Sequence, residues 1–310
     1  MDRYTIKNIN NSLTLHTLKV GNSSMVIIPE KGAILNSLIF NNQPIIDGYQ
    51  SENDLEKLEW AKSALLFPFP NRLKNGKYSW KDKSYQFPIN LTPNAIHGFG
   101  MHESFMIEKT SFEQNYSEIK LSYIYQKNYE FYPFSFEISI EYKLYENRLV
   151  VKYFAKNIDN QTIPIGLGWH PYFSLGGNVM DWEVKMSNGY KIEVDEIMIP
   201  NGIKSYFNDF EKPLIIGQKS LDTCFELDHN NKFELELKNN NGVLNYCQSS
   251  ENHQFRYVQL FIPPNRTCIA IEPMTCGIDA FNQQKELVSI DPQNSIGGTI
   301  DILWTPNKIS

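Results

Sequence analysis

The chain of 310 residues is 41% hydrophobic and 21% charged, and it carries a formal net charge of −6. This composition supports a packed core and argues against long disordered tracts. The negative balance argues against a protein that binds a nucleic-acid backbone, which requires a basic face, but it leaves a neutral small molecule open as the ligand.

The cysteines and the N-terminal segment indicate the environment of the protein. The cysteines are Cys224, Cys247, Cys268 and Cys276. They show neither a CxxC pair nor a Cys/His pattern typical of zinc sites. We therefore expect reduced thiols and no bound metal. No window is apolar over the length of a secretion signal or a membrane span, which predicts a soluble, cytoplasmic protein without membrane contact.

The first third of the chain predicts β-strands. Polar and apolar residues alternate over Ser12–Val20, and Ser24–Pro29 contains an apolar run that ends at a turn. The turn Glu30-Lys31-Gly32 leads into a further extended segment, Ala33–Phe40.

One helix is predicted, over Asp54–Leu66. Asp54 is placed to cap it, and its leucines and an alanine fall on one face at helical spacing. It ends at Phe67-Pro68-Phe69-Pro70, because a residue that precedes proline is pushed out of the helical region. The segment Asn71–Lys77 is then a loop that ends in an Asn-Gly turn, and Lys77–Phe87 follows as a hairpin.

The middle of the chain gives the clearest structural signal. Apolar residues occupy every second position over Phe134–Leu144, and Leu149–Asn157 returns as a second strand after a turn. Glu118–Gln126 shows a similar pattern. Alternation of this length is typical of a half-buried antiparallel sheet. With no linker or repeat, the sequence predicts an all-β protein, a large antiparallel β-sandwich with few short helices, as a single domain over residues 1–310.

Glu272 is the first candidate for chemistry. It follows the apolar run Cys268–Ile271 and precedes Pro273, which cannot donate a hydrogen bond to a neighbouring strand. The sequence therefore predicts that Glu272 lies where strand pairing stops, a position from which a carboxylate can transfer protons. An ordinary glutamate at a strand end has the same pattern, so this stretch leaves both interpretations open.

Three further stretches place polar groups between predicted strands, where binding residues concentrate. Asn94–Gly100 holds His97 beside two glycines, Gly98 and Gly100, which predicts close backbone approach to a ligand and an exposed imidazole. Gly166–Phe173 holds His170 among aromatics, and Asp222 precedes a short strand. Each also has a structural interpretation, as a turn histidine, a turn cap or part of the core. The residues alone predict a candidate acid/base pocket and no more.

Five motifs occur in order over Pro68–Asn282, and they are PFPNRLKNGKYSW, NAIHGF, GWHPYFSL, LDTCF and EPMTCGIDAFN. A weaker motif, PEKGAILNSLIF, begins at Pro29. On these motifs the chain resembles the aldose 1-epimerase (galactose mutarotase) family. The resemblance implies a β-supersandwich that interconverts the α and β anomers of a free sugar and needs neither a metal nor a cofactor.

The resemblance also implies roles for individual residues. Glu272 would be the general base that takes the proton of the C1 hydroxyl, and His170 the general acid that protonates the ring oxygen. His97 would assist at the same oxygen, while Arg72 and Asp222 would bind sugar hydroxyls. The other residues predicted to bind the substrate are Asn71, Trp169 and Phe281. The two aromatic residues would cover the apolar face of the sugar. The expected partner is a small sugar, and the expected assembly is a monomer or homodimer.

Two motifs depart from the best-known galactose mutarotases, in which an HGG-like turn and an NH-x-YF motif stand in place of HGF and GWHPYF. The chain therefore looks like a divergent branch, and the sugar stays open. Hexose-6-phosphate epimerases share the HGF turn but tend to carry an arginine shortly after it, where this chain has Gly100-Met101-His102. We therefore favour an unphosphorylated aldose, with a phosphorylated hexose as the alternative for which His102, Lys74 or Arg72 would supply charge.

Two other classes stay open at this point. A non-catalytic sugar-binding protein on the same scaffold is compatible with the altered motifs. A glycoside hydrolase or lyase would pair Glu272 with Asp222 or Asp279 across the bond to be cut. The mutarotase interpretation makes a geometric prediction, that one open cleft is lined by Glu272, His97, His170, Arg72 and Asp222.

Overall fold

The computed structural model describes residues 2–10, 12–227, 232–249, 255–283 and 289–307. Strands form nearly all of the regular structure in these ranges, and the α-helical part is one short helix, α1, Glu52–Lys57. Short 3₁₀ turns occur at Glu59–Ala61, Lys74–Gly76, Gly100–His102 and Val179–Asp181. No helix among these residues is long and apolar enough to cross a membrane.

The strands are short and follow one another closely along the chain. In the N-terminal half they are β1 Tyr4–Asn8, β2 Thr14–Val20, β3 Ser23–Ile28, β4 Ile34–Phe40, β5 Gln43–Pro44, β6 Leu65–Leu66, β7 Arg72–Leu73, β8 Lys77–Trp80, β9 Lys83–Gln86, β10 Ala95–Ile96, β11 Met106–Glu113, β12 Tyr116–Tyr125, β13 Phe136–Leu144 and β14 Arg148–Asn157. In the C-terminal half they are β15 Ile163–Pro164, β16 Gly168–Trp169, β17 Tyr172–Phe173, β18 Glu183–Met186, β19 Gly189–Val194, β20 Pro200–Phe207, β21 Leu214–Ile215, β22 Asp222–Glu226, β23 Phe233–Asn239, β24 Gly242–Gln248, β25 Tyr257–Phe261, β26 Ile269–Met274, β27 Ser289–Ile290 and β28 Ser295–Pro306.

Three large antiparallel sheets contain most of these strands. The first contains β1 to β5 in sequence order. The second has nine strands in the order β11-β12-β13-β14-β28-β24-β23-β18-β21. The third has the order β20-β19-β22-β25-β26-β16-β6, with β17 as a further partner of β26. Two-stranded ribbons pair β7 with β10, β8 with β9 and β15 with β27.

The second and third sheets face each other across a large apolar core. The rings of Tyr142 on β13 and Trp169 on β16 lie 6.5 Å apart. Tyr153 on β14 donates a hydrogen bond of 3.3 Å through its hydroxyl to the carbonyl of Leu66 in β6. Two layers of antiparallel sheet around one core form a β-sandwich, which confirms the predicted fold class.

Period-two alternation predicted the central strands correctly. Burial alternates from residue to residue along β13, and β12 and β14 pair with it on either side. The predicted strands of the first third correspond to β2, β3 and β4, and the predicted hairpin corresponds to β8 and β9. Alternation works here because one face of each strand packs on the core while the other faces outward.

The predicted helix over Asp54–Leu66 is wrong in its extent and in its cap. The residue that caps α1 is Ser51, whose Oγ accepts a hydrogen bond of 3.2 Å from the backbone N–H of Asp54. After α1 ends, Leu58 has a left-handed φ of 52°, and Leu65-Leu66 pairs with β16 as strand β6. Strand pairing therefore overrides the helical spacing of the leucines, because it buries Leu65-Leu66 completely.

Candidate active site

A cavity of about 990 Å³ opens beside the eight-stranded sheet. Its walls come from β22, β25 and β26, from the loops that carry the two candidate histidines, and from the segment that follows α1. Residues singled out from the sequence that line this cavity together are Asn71, Arg72, His97, His170, Asp222 and Glu272. The fold therefore brings into one cleft side chains that are far apart in the sequence.

Glu272 does not lie at the end of a strand, so that prediction is wrong. It lies inside β26 opposite Gln259 of β25, and Pro273 continues the same ladder opposite Val258. The other side of β26 pairs with β17 and then with β16, and His170 lies between these two partners. Pro273 has no N–H to donate, and this affects the pairing of β26 on one side only. On the other side, the gap between β16 and β17 brings His170 next to Glu272.

His170 and Glu272 form the central contact of the cavity. Nε2 of His170 lies 3.3 Å from Oε1 of Glu272, and both side chains are buried. The backbone of His170 is fixed on both sides, since its N–H donates to the carbonyl of Ala64 over 3.0 Å and its carbonyl accepts from the N–H of Ser63 over 2.8 Å. Two hydrogen bonds therefore fix the backbone position from which the imidazole reaches the carboxyl group.

Burial favours the neutral form of both members of this pair. Desolvation raises the pKa of Glu272 well above its usual value, the Asp222 carboxylate raises it further, and the Arg72 guanidinium opposes both. Desolvation lowers the pKa of His170 to about 4. Burial thus favours the state in which the free pair holds one proton, on its carboxyl side, and the two groups titrate as a unit.

Two polar atoms of this pair have no partner. Among the residues that the structure describes, Oε2 of Glu272 and Nδ1 of His170 are buried and form no hydrogen bond. Buried polar atoms are normally satisfied, so unpaired atoms at a cavity wall are typical of a site that receives a polar ligand.

His97 is placed by a reciprocal contact with Asn71. The backbone N–H of Asn71 donates to Nδ1 of His97 over 3.2 Å, and the backbone N–H of His97 donates to the carbonyl of Asn71 over 3.0 Å. Because Nδ1 accepts, the neutral imidazole carries its proton on Nε2. Burial lowers the pKa of His97 well below its usual value, and His170 and Arg72 add to this effect.

The glycine turn around His97 does not expose the imidazole, so that expectation is wrong. The side chain of His97 is buried, with its ring 5.2 Å from that of His170. Gly98 has a φ of +63°, and a Cβ atom there would lie 2.1 Å from the carbonyl oxygen of Phe67. Gly98 is therefore required for close packing against the Phe67 backbone, and it is not among the residues that line the cavity.

A chain of polar side chains crosses the floor of the cavity. Oδ1 of Asn71 accepts from Nη1 of Arg72 over 3.3 Å, and Nδ2 of Asn71 donates to Oε1 of Gln259 over 3.2 Å. Nε2 of Gln259 then donates to Oδ1 of Asp222 over 2.6 Å. Burial raises the pKa of Asp222, against the opposing effects of Arg72 and Gln259. This chain fixes the orientation of the Arg72 guanidinium and the Asp222 carboxylate, which have opposite effects on the pKa of Glu272.

Asp279 supports this arrangement from outside the cavity lining. Its backbone N–H donates to the carbonyl of Arg72 over 2.8 Å, and its Oδ1 accepts from the backbone N–H of Lys74 over 2.8 Å and from Nδ2 of Asn282 over 2.7 Å. The carboxyl group of Asp279 is thus engaged in hydrogen bonds that hold the loop carrying Arg72. This leaves Asp222 as the carboxylate beside Glu272 inside the cavity.

Trp169 and Phe281, both predicted to bind substrate, are not among the residues that line the cavity. Trp169 is completely buried in the core, and its Nε1 donates to the carbonyl of Ser63 over 3.2 Å. Adjacent residues of an extended chain face opposite ways, so Trp169 points into the sandwich while its neighbour His170 faces the cavity. Phe281 packs on Tyr78, with ring centroids 5.0 Å apart.

Other residues that the sequence analysis missed do line the cavity. Gln259 had a signal, because it is a polar residue inside the apolar strand YVQLF. The aromatic rings on the wall belong to Trp60, Tyr172 and Phe261. Trp60 was missed because the overlong helix prediction placed it inside a regular element, and Phe261 because it ends an ordinary apolar strand.

The two histidines and Glu272 also form a donor set of the kind that zinc binds. One ligand atom from each lies within 4.8 Å of the others. Nε2 of His170 and Oε1 of Glu272, 3.3 Å apart, have the spacing of two ligands about 2 Å from a common ion, while Nδ1 of His97 already accepts a hydrogen bond and leaves only its Nε2 for a metal.

The cavity thus has the composition of an acid/base pocket for a polar small molecule, on an antiparallel β-sandwich. The sequence model of the aldose 1-epimerase family matches residues 14–302, and the chain belongs to this family. It is 30% identical to the galactose mutarotase of Rattus norvegicus over 156 residues, 48% of this chain and 44% of that protein. It is 26% identical to the uncharacterised protein YihR of Escherichia coli K12 over 236 residues, 73% of this chain and 74% of that one. The chain spans about half the length of the curated mutarotases it matches.

Solved structures show the same fold. A galactose mutarotase-like protein from Clostridium acetobutylicum is similar with a TM-score of 0.85 at 19% identity, and the match covers 98% of each chain. A galactose 1-epimerase from Lactobacillus acidophilus NCFM is similar with a TM-score of 0.84 at 18% identity, again over 98% of each chain. The protein therefore has a galactose mutarotase-like fold, as the sequence predicted.

Proposed function

We propose that this protein interconverts the α and β anomers of an aldose by acid/base opening and closing of the sugar ring. The observation that carries the proposal is the buried contact between His170 and Glu272, with an unpaired polar atom on each, at the wall of a cavity that holds further polar groups. Membership of the aldose 1-epimerase family supports it.

Ring opening needs a base at the C1 hydroxyl and an acid at the ring oxygen. In the proposed step Glu272 takes the hydroxyl proton, the C1–O1 bond becomes a carbonyl, and the bond from C1 to the ring oxygen breaks. His170 gives a proton to the departing ring oxygen. Each such proton transfer contributes about 10²–10⁴-fold to the rate. After rotation about C1–C2, the reverse transfers close the ring on the opposite face of C1.

The number of protons on the pair does not change in this cycle. The open-chain state has a protonated Glu272 and a neutral His170, which is the form that burial favours in the free protein. The ring-closed state requires the proton on His170, and the 3.3 Å contact provides the path for that transfer. A sugar hydroxyl that donates to Glu272 stabilises the carboxylate and so promotes the transfer.

The remaining polar groups have proposed roles in orientation. His97 donates from Nε2 near the ring oxygen, since its Nδ1 is already engaged. Arg72 and Asp222 bind sugar hydroxyls, and Asn71 holds the Arg72 guanidinium in place. Fixing the sugar in this way aligns the reacting atoms and lowers the entropic barrier.

A phosphorylated aldose is the second candidate substrate. The cavity is also lined by Lys57 and Arg266, which supply positive charge, and by His102, whose neutral form is favoured because burial lowers its pKa. Arg266 already donates to the carbonyls of Gly217 and Lys219 over 2.7 and 3.0 Å, so its guanidinium is largely committed. Because its guanidinium is engaged in this way, Arg266 is poorly placed to form a bidentate contact with a phosphate. We therefore favour a neutral aldose.

Magnetisation exchange between the anomeric protons, followed by NMR, tests this function. Purified protein is added to free and 6-phosphorylated hexoses and to pentoses at anomeric equilibrium. Faster α–β exchange for at least one aldose is the expected result, with free sugars ahead of their phosphates. Saturable sugar binding without exchange would instead identify a non-catalytic sugar-binding protein. The cytoplasmic location and the monomer or homodimer stay predictions from the sequence.

A further inference from the structure

Tyr172 covers one face of the His170 imidazole. The two rings are stacked, with centroids 5.0 Å apart and planes inclined by 25°. Tyr172 is buried and lines the same cavity as His170 and Glu272. The separation lies within the range in which offset-stacked aromatic rings attract each other. The imidazole thus has an aromatic ring against its face and the Glu272 carboxyl group 3.3 Å from its Nε2.

The second ring nitrogen of His170 does not orient the imidazole through a hydrogen bond. Among the residues that the structure describes, Nδ1 of His170 is buried and has no hydrogen-bond partner. In histidines that transfer protons, this second nitrogen is commonly held by a carboxylate or a carbonyl, which fixes the orientation of the ring. The ring of His97 meets that of His170 at 5.2 Å with planes inclined by 84°. The orientation of the imidazole therefore depends on its contacts with neighbouring rings.

The backbone holds Tyr172 in a fixed position relative to Glu272. Tyr172 lies opposite Ala270 of β26, and its carbonyl accepts from the backbone N–H of Asp47 over 2.9 Å. Ala270 and Glu272 are two residues apart in this strand, so their side chains and that of Tyr172 lie on one face of the sheet. The ring of Phe261 packs edge-on against Tyr172, with centroids 6.4 Å apart. The fold therefore fixes the surface against which the imidazole packs.

An aromatic face also suits the charge that His170 acquires in the proposed cycle. The ring-closed state places the proton on His170 beside the Glu272 carboxylate, and a cation within about 6 Å of an aromatic ring centroid is attracted by that ring. Tyr172 itself stays neutral, because burial and the nearby Glu272 raise the pKa of its hydroxyl group. The contact therefore adds no further negative charge to the pair.

We propose that Tyr172 is a positioning residue for this reaction, whose ring holds the His170 imidazole in the orientation that faces Glu272 and stabilises the imidazolium. This inference rests on the proposed function and adds to it a residue that acts through His170. The aromatic face has this role and the hydroxyl group does not, so two variants at one position can separate them.

Anomer exchange in Tyr172→Leu and Tyr172→Phe, followed by NMR with the best aldose, tests the inference. Leucine offers no aromatic face, so kcat should fall by about two- to thirtyfold, the size expected for one cation–π contact, with a smaller change in KM. Phenylalanine keeps the face and removes only the hydroxyl group, so kcat should stay within about twofold of the wild-type value. Tyr172→Met is a second non-aromatic variant and should behave as the leucine variant does.

The imidazole resonances of His170 report the contact directly. Protons held over an aromatic face are shifted upfield by its ring current. The C–H protons of the His170 imidazole should therefore lie upfield in the wild type and in Tyr172→Phe, and should return toward ordinary positions in Tyr172→Leu. Comparison with His170→Asn assigns these resonances.

Phe173→Leu is the matched control. Phe173 is the next residue of β17, but it is completely buried, with its ring 6.1 Å from that of Tyr246 in the core. This variant should lose stability and keep both its kcat and the His170 resonances. The thermal midpoint of each variant shows that it is folded.

The outcomes separate this inference from the proposed function. Equal kcat in the wild type and Tyr172→Leu overturns the inference alone, and so does a fall of kcat in Tyr172→Phe or Phe173→Leu as large as that in Tyr172→Leu. A wild-type protein that accelerates the exchange of no aldose overturns the proposed function. The His170 resonances then still show whether Tyr172 orients the imidazole.

Discussion

Gln259→Leu tests whether the polar chain of the cavity floor orients the sugar. Leucine has a similar size but forms neither the 3.2 Å bond from Nδ2 of Asn71 nor the 2.6 Å bond to Oδ1 of Asp222. A neutral hydrogen bond contributes about 0.5–1.5 kcal/mol and one to a charged group about 1.5–3 kcal/mol. The free energy of unfolding should therefore fall by about 2–4.5 kcal/mol.

The same change should affect binding more than chemistry. Gln259 orients Asp222, while the contact between His170 and Glu272 does not depend on the side chain of Gln259. We expect the KM for the best aldose to rise about tenfold, the effect of about 1.4 kcal/mol of lost binding, with a smaller change in kcat. Urea unfolding measures the stability, and NMR anomer exchange over a range of sugar concentrations measures the two kinetic constants.

Gln248→Leu is the matched control. Gln248 is also a buried strand glutamine, and its Nε2 donates to the carbonyls of Phe255 and Tyr257 over 2.9 Å each, but it does not line the cavity. This variant should lose comparable stability and keep its KM. An equal rise of KM in both variants, or no rise in Gln259→Leu, would refute the reasoning.

Three further predictions follow from the site. The pair is active with one proton, so activity should fall on the acid side where the pair takes up a second proton. Because the pKa of His170 is lowered to about 4, this acid limb of kcat/KM should lie near pH 4 and not near the 6.5 of an ordinary histidine; a pH profile with circular dichroism at each point measures this. Glu272→Gln should become more stable relative to wild type as the pH rises from 5 to 8. The wild-type protein loses stability as the pH rises through the raised folded-state pKa of Glu272, by about 1.4 kcal/mol for each unit by which that pKa exceeds the unfolded-state value; thermal melts at both pH values test this. Gly98→Ala should lower stability by more than the 1–2 kcal/mol of a left-handed alanine, because its Cβ also meets the Phe67 carbonyl, and should reduce activity by displacing His97; a melt and an exchange assay on the same sample show both.

The central strands were predictable because their signal is local. Burial alternates along β13 in step with the sequence, so the fold class follows from a pattern within a few residues. The region after α1 was not predictable in this way. Its leucines have helical spacing, but the pairing of Leu65-Leu66 with β16 is a contact between segments that are distant in the sequence.

Part of the cavity lining was predictable from the sequence, and the local geometry of Glu272 was not. The order of motifs brought Glu272, His97 and His170 forward, yet the residues alone did not place Glu272 inside a paired strand. That position depends on the interruption between β16 and β17, which only the folded sheet shows. Likewise, adjacent aromatic and histidine residues look equivalent in sequence, while the fold turns Trp169 into the core.

The rate of anomer exchange in Glu272→Gln tests the central claim most directly. Glutamine keeps the shape of the side chain but cannot accept the C1 hydroxyl proton as a base, so exchange of the best aldose should slow by about 10²–10⁴-fold while the sugar still binds. Glu137→Gln, a matched change on β13 of the opposite sheet, should leave the rate unchanged. Exchange at the wild-type rate in Glu272→Gln would contradict the proposed mechanism.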